Sequence, residues 1–275
     1  MTLTTDFRDD ALGFSSRLPI GVDDRQLTAA NGLKPAAGNG NHLVLVTATY
    51  TLDWTMEPFN GEALLTPHVA AIPGRERCIY LPWEPDAAIS VDLDNSVDWF
   101  FTATLTGCHV RVYPIVGGVR VTHGNGKTAY NNVFTPVSTS VAPSRLQLIT
   151  ADAIGSAAAT GHVNGMFGAA MPGEKFVRKA NYVGHVSEVH LKAARQRFRT
   201  SWDEKIVQFG AAETSAKPES SCFVWGHRHG VHGWQFWYQS TVQISARLEK
   251  GIISKTTRDI YGQSVVLGTP DQFYP

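Results

Sequence analysis

The chain has 275 residues, enough for one large domain or two small ones with a real hydrophobic core. With 43% hydrophobic and 17% charged residues it reads as globular rather than disordered, and its net charge of zero gives no overall field for nucleic acid or an anionic membrane surface. Three cysteines (Cys78, Cys108 and Cys222) without repeated spacing argue against a disulfide framework and leave at least one thiol free.

The start, MTLTTDFRDDALGF, has no apolar stretch of signal-peptide type, and nowhere is there an apolar run long enough to span a membrane as a helix. Residues 1–41 read as an irregular lead-in to a single domain over 1–275, with a loop at KPAAGNGN (34–41). HLVLVTATYTLDW (42–54) reads as one strand buried on both faces. Residues 55–77, with Pro58, Pro67 and Pro73, read as turn-rich, and CIYL (78–81) as a short strand. Asp92 and Asp94 read as a solvated turn, since the twelve-residue calcium-loop pattern is absent.

SVDWFFTATLTG (96–107) has strand character and runs into Cys108, and 109–115 and 119–123 form two further strands. Residues 145–160 fit helix or strand. A helix is predicted over 188–209, where Leu191, Ala194, Phe198, Trp202, Ile206 and Phe209 recur near a 3.6-residue period, between Ser187 as N-cap and Gly210 as stop. CFVWGH (222–227) and GWQFWYQSTVQISARL (233–248) suggest a hairpin around a His/Gly-rich turn, and the tail adds GIISKTT and QSVVLG. The expected fold class is α+β: packed mixed and antiparallel sheets, a β-sandwich-like core, flanked by helices.

A cysteine attacks as thiolate, and a nearby histidine can take its proton. Cys108 and His123 flank the predicted hairpin, so register decides whether they meet. A tight Gly117-Gly118 turn sets His123 opposite Val112, leaving Cys108 roughly 13 Å away at about 3.3 Å per residue. A loop of Pro114 to Gly117 sets Cys108 opposite His123, and proline's poor fit inside a strand favours this second case. Gly107 leaves room for a carbonyl substrate, and the Cys108 N–H is positioned to donate to an oxyanion. Thr102 and Thr104 share the parity of Cys108 in a regular strand. His109 faces the opposite way and is a poor base. Cys78 and Cys222 read as structural.

The step Leu105-Thr106-Gly107-Cys108 resembles the Leu-Ser-Gly-Cys signature of the cytotoxic necrotizing factor catalytic domain and Burkholderia lethal factor, whose fold the chemoreceptor glutamine deamidases share. The likeness covers Thr102 to His123, with Thr106 in place of the usual serine. In that group a histidine at the end of a later strand completes the dyad, the position of His123, and in some members a threonine six residues before the cysteine joins it, here Thr102. The resemblance implies a protein glutamine deamidase that needs no cofactor. Cys108, His123 and Thr102 are its catalytic candidates, and Gly107 and Thr106 line the substrate and oxyanion position. It implies an injected or secreted bacterial effector, a monomer delivered by a secretion machine or a longer parent, acting in the target-cell cytoplasm on a protein that carries a reactive Gln. Family targets are Rho-family GTPases and a translation-initiation helicase, and neither carries over on these residues. Transfer to an amine (transglutaminase) or cleavage of a peptide bond (protease) would use the same groups.

Two other stretches compete. In WGHRHGVHGW (225–234), His227, His229 and His232 offer metal ligands, with a cleft-lining loop as the plainer reading, and no metal is assigned. The aromatic run at 233–238 reads as core, or as the stacking face of a non-catalytic β-sandwich binding module for carbohydrate or protein.

Overall fold

The computed structural model describes residues 2–27, 42–45, 51–70, 76–126, most of 155–165, 170–209, 212–250 and 256–275. Two short helices, α1 (Leu3–Asp9) and α2 (Ala11–Arg17), open the chain, each capped by a side chain. Thr2 Oγ1 accepts from the Thr5 N–H, and Asp10 Oδ1 from the Gly13 N–H. The strands that follow are β1 (Ile20–Val22), β2 (His42–Leu45), β3 (Thr51–Phe59), β4 (Glu62–His68), β5 (Arg77–Leu81), β6 (Ala87–Leu93), β7 (Trp99–Thr102), β8 (His109–Ile115), β9 (Gly118–Gly124) and β10 (Lys175–Val177). Then come α3 (Lys179–Val183), α4 (Glu188–Phe209), β11 (Ala212–His229), β12 (Gly233–Lys250), β13 (Thr256–Tyr261), β14 (Val265–Val266) and β15 (Asp271–Tyr274).

Among the described residues the strands make two sheets. The larger runs β1-β4-β3-β5-β7-β11-β12-β13, with β14 and β15 also on β12, and the smaller runs β10-β8-β9-β6-β2. The sheets face one another across a core that takes Ile79, Phe100, Cys222, Val224 and Phe236 from the large sheet and Ile89, Val91, Val110, Val112 and Val121 from the small one. This is the α+β, sheet-rich architecture the sequence predicts.

Helices cover the large sheet's outer face. Helix α4 lays Leu191, Ala194 and Phe198 over Val242, Ile244 and Ala246 of β12, on the stripe its period predicts. The described residues within 155–165 are helical, while 145–154 and Gly210 lie outside the described residues. No helix among the described residues is long and apolar enough to cross a membrane.

Three expectations are corrected. The first is the lead-in: 3–9 and 11–17 are helical, and Phe7, fully buried, sits among Trp54, Trp99, Phe101 and Trp225. Its loop at 34–41 lies outside the described residues. The second is the apolar run 42–54, which is two strands in different sheets: β2 pairs parallel with β6, and β3 pairs with β4 and β5. The third is the turn-rich 55–77, which instead holds a hairpin. Asn60 and Gly61 both take positive φ (51° and 78°), the geometry of a two-residue hairpin turn. That turn brings Pro58 and Pro67 into β3 and β4, a signal the prolines masked.

Candidate functional site

Strand β7 ends at Thr102 in the large sheet, and the chain then crosses to the small sheet, which it enters at His109. The crossing is pinned midway. Leu105 and Cys222 exchange two backbone hydrogen bonds, each 2.8 Å. Thr106 is exposed, Gly107 is half-buried, and Cys108 is buried just before β8. A side-chain carbon built on Gly107 would meet nothing within 4 Å, so the space beside the glycine is open, while Cys108 itself is only 4% exposed.

Neither expected hairpin register occurs. Ile115 pairs with Gly118, so Val116 and Gly117 form the turn, and Gly117 supplies the left-handed φ of 84°. His123 therefore pairs with Val110, and Cys108 falls two residues beyond. Pro114 is tolerated inside β8 because β10 pairs only with Val110–Val112, leaving the strand edge open at Pro114. Paired residues share a face and alternate residues return to it, so Cys108 is a diagonal neighbour of His123, a relation that spans about 7–8 Å. Long side chains reach across such a gap, but no direct bond joins the two groups in this state.

Thr102 and His123 do meet. Thr102 Oγ1 donates to the Leu81 carbonyl at 2.9 Å and lies 2.7 Å from His123 Nδ1. A hydroxyl has one proton, and the carbonyl takes it. The threonine oxygen must therefore accept from Nδ1–H, which leaves the lone pair on Nε2. That Nε2 is buried and makes no hydrogen bond among the described residues. A buried unpaired acceptor costs about 1–3 kcal/mol, so its presence needs a reason.

Cys108 Sγ accepts from Asn125 Nδ2 at 3.0 Å, and the backbones of Thr106 and Gly107 also bond it. Asn125 was not anticipated from the sequence. It stands two residues after His123, on the same strand parity, and directly opposite Cys108 once the register is fixed. Burial pushes the thiol up to about 11, against the smaller pull of Asn125, the Thr106 and Gly107 backbone and Lys179. Burial, with His109 adding to it, holds His123 down to about 3. At neutral pH the site is a thiol beside a neutral imidazole, not an ion pair.

This has a measurable consequence. The unfolded imidazole takes up a proton near pH 6.5, and the folded one only near pH 3. The folded state thus binds fewer protons across that window, and the stability of a neutral His123 is present above it and lost as pH falls through it. His109 acts in the same direction, held down to about 4 by burial, Arg178 and Arg111. From pH 7 to pH 4 the unfolding free energy should fall by about 3 kcal/mol through His123 alone. Urea unfolding at the two pH values checks this, and His123→Gln should flatten the difference.

His109 points to the other face of the small sheet, as its parity predicts. There it lines a cavity of about 330 Å³ with Arg111, Glu174, Phe176 and Arg178, and its Nε2 lies 3.3 Å from Thr160 Oγ1. Cys78 and Cys222 are fully buried free thiols, both pushed up by burial. Asp92 pairs with Arg120, and Asp94 accepts from the Ser96 N–H.

The aromatic strand is core: Trp234, Phe236, Trp237 and Tyr238 are all at most 7% exposed, so this strand offers no exposed stacking face. No group of three or more His, Cys, Asp or Glu among the described residues is arranged to hold a metal, which sets aside the three-histidine ligand set. No protein-family model matches the chain, and no curated protein matches it.

Proposed function

We propose that the chain is a cysteine-dependent protein glutamine deamidase, with Cys108 as nucleophile and His123 as base. The observation that carries this reading is the buried Thr102–His123 hydrogen bond, whose threonine proton is already committed to Leu81 and which therefore leaves Nε2 a free base. The Thr-Gly-Cys step with its resemblance to deamidases supplies the reaction class.

Substrate enters beside Gly107. His123 Nε2 takes the thiol proton as Sγ bonds to the side-chain amide carbon of a glutamine, so no thiolate need stand at rest. The carbonyl oxygen becomes an oxyanion, within the reach of the donors around Sγ, the Asn125 amide first among them. The protonated Nε2 then gives its proton to the departing nitrogen, ammonia leaves, and a thioester remains. Water, deprotonated by the same Nε2, splits the thioester and leaves glutamate and the thiol.

Thr102 acts as a positioning residue. Thr102→Val keeps the shape but removes both hydrogen bonds, and His123 loses its preference for the Nδ1–H form. kcat should fall on the order of 10–100-fold with KM little changed, a part of what general acid–base catalysis contributes. The assay incubates the protein with candidate target proteins, follows ammonia, and maps Gln-to-Glu conversion by peptide mass. A Thr102→Val enzyme with undiminished kcat would remove the tautomer argument.

A further inference from the structure

The tip of the β11–β12 hairpin carries a second chemical feature, unconnected with Cys108. His227 and His229 lie two residues apart on β11 and so project from the same face of the strand. His227 Nδ1 and His229 Nε2 share a hydrogen bond at 3.1 Å, so one of the two nitrogens carries a proton that a bound ion would displace. The His227 ring is stacked on Trp99 at 4.2 Å and 16°, which fixes its plane. The His229 ring stands across it at 73°, is exposed, and meets Trp237 only at its edge.

Two imidazoles bound to one ion at about 2.0–2.1 Å place their nitrogens about 2.9 Å apart in square-planar geometry and about 3.3 Å apart in tetrahedral geometry. The observed 3.1 Å lies between these values. The His227 ring is held by Trp99 and the His229 ring is exposed, so the two facing nitrogens are offered to one ion once the proton they share is lost. The nearest cation on the strand, Arg228, is paired with Asp98, which limits its repulsion of an incoming ion. Solvent at the hairpin tip leaves room for water in the remaining coordination positions.

We propose that His227 and His229 form an open two-histidine site for a borderline divalent transition-metal ion, Cu2+, Ni2+ or Zn2+. Imidazole suits these ions, whereas Mg2+ and Ca2+ prefer oxygen ligands and should not bind here. The site completes its coordination with water and stands apart from the deamidase reading, so either can fail alone.

The test uses the full chain without an affinity tag. Cu2+ and Zn2+ are titrated by calorimetry, and the melting temperature is followed with and without metal. One ion should bind saturably and raise the melting temperature by mass action. His229→Asn and His227→Asn should each weaken binding by at least about tenfold. Both variants should keep the wild-type far-ultraviolet circular dichroism in the absence of metal, and His185→Asn should bind as the wild type does. The proposal is overturned if the wild type shows no saturable binding, or if either hairpin substitution leaves the isotherm unchanged.

Discussion

Cys108→Ser should reduce glutamine deamidation on the order of 10³-fold or more, because an alcohol is far harder than a thiol for His123 to deprotonate. The fold should survive. Serine fits the same volume, and its oxygen can accept from Asn125 Nδ2 as Sγ does now at 3.0 Å. The expected loss of stability is about 1 kcal/mol, within the range of a conservative change at a buried position. Activity and urea unfolding measured on the same preparation separate the two effects. Ammonia release that persists in the folded variant would remove Cys108 from the mechanism. Loss of activity together with loss of cooperative unfolding would be read as misfolding, and Cys108→Ala would then be used for the comparison.

Phe7→Ala should have the largest effect on stability. The ring is fully buried and lies within 5.4–6.1 Å of Phe14, Trp54, Trp99, Phe101 and Trp225, centroid to centroid. Removing it opens a cavity walled by rigid rings that cannot collapse into the space. The expected loss is about 3–5 kcal/mol, a large share of the 5–15 kcal/mol that typically holds a domain together. Phe7→Leu should recover more than half of it. The shift of the urea midpoint at unchanged slope measures the loss. A small shift would show that α1 contributes little to the outer core of the large sheet.

The sequence spoke clearly where one physical signal dominated. The 3.6-residue period located α4, and two strand-like runs on either side of a His/Gly-rich turn located the long hairpin. It spoke poorly where signals conflicted. The three prolines of 55–77 outweighed Asn60-Gly61, although that dipeptide is the stronger local cue for a hairpin. The run 42–54 is apolar throughout, and nothing in its composition tells that one half belongs to each sheet. In the N-terminal stretch the apolar positions Phe7 and Phe14 are too few to declare a helix, and tertiary packing decides them. At the candidate site, residue type and spacing nominate Thr102, Gly107, Cys108 and His123, whereas the register that relates them was not legible. Pro114 suggested a loop, yet only knowledge of the neighbouring strand β10 reveals that its edge is free. Asn125 stayed hidden for the same reason, since it faces Cys108 only in the register that was not foreseen.

The two hydrogen bonds of Thr102 tie three strands: β5 through Leu81, β7 through Thr102 itself, and β9 through His123. The first two strands belong to the large sheet and the third to the small one. On the proposed mechanism, the proton arrangement of the base is therefore set by how closely the sheets are pressed together. A slide of one layer against the other by an ångström or so would break the threonine contact first, while the cysteine, at the mouth of β8, and the histidine, on β9, would stay tied to the small sheet through their strands. Packing between the layers then acts as a dial on chemistry: distant core substitutions that loosen the sandwich should slow turnover before they unfold the chain.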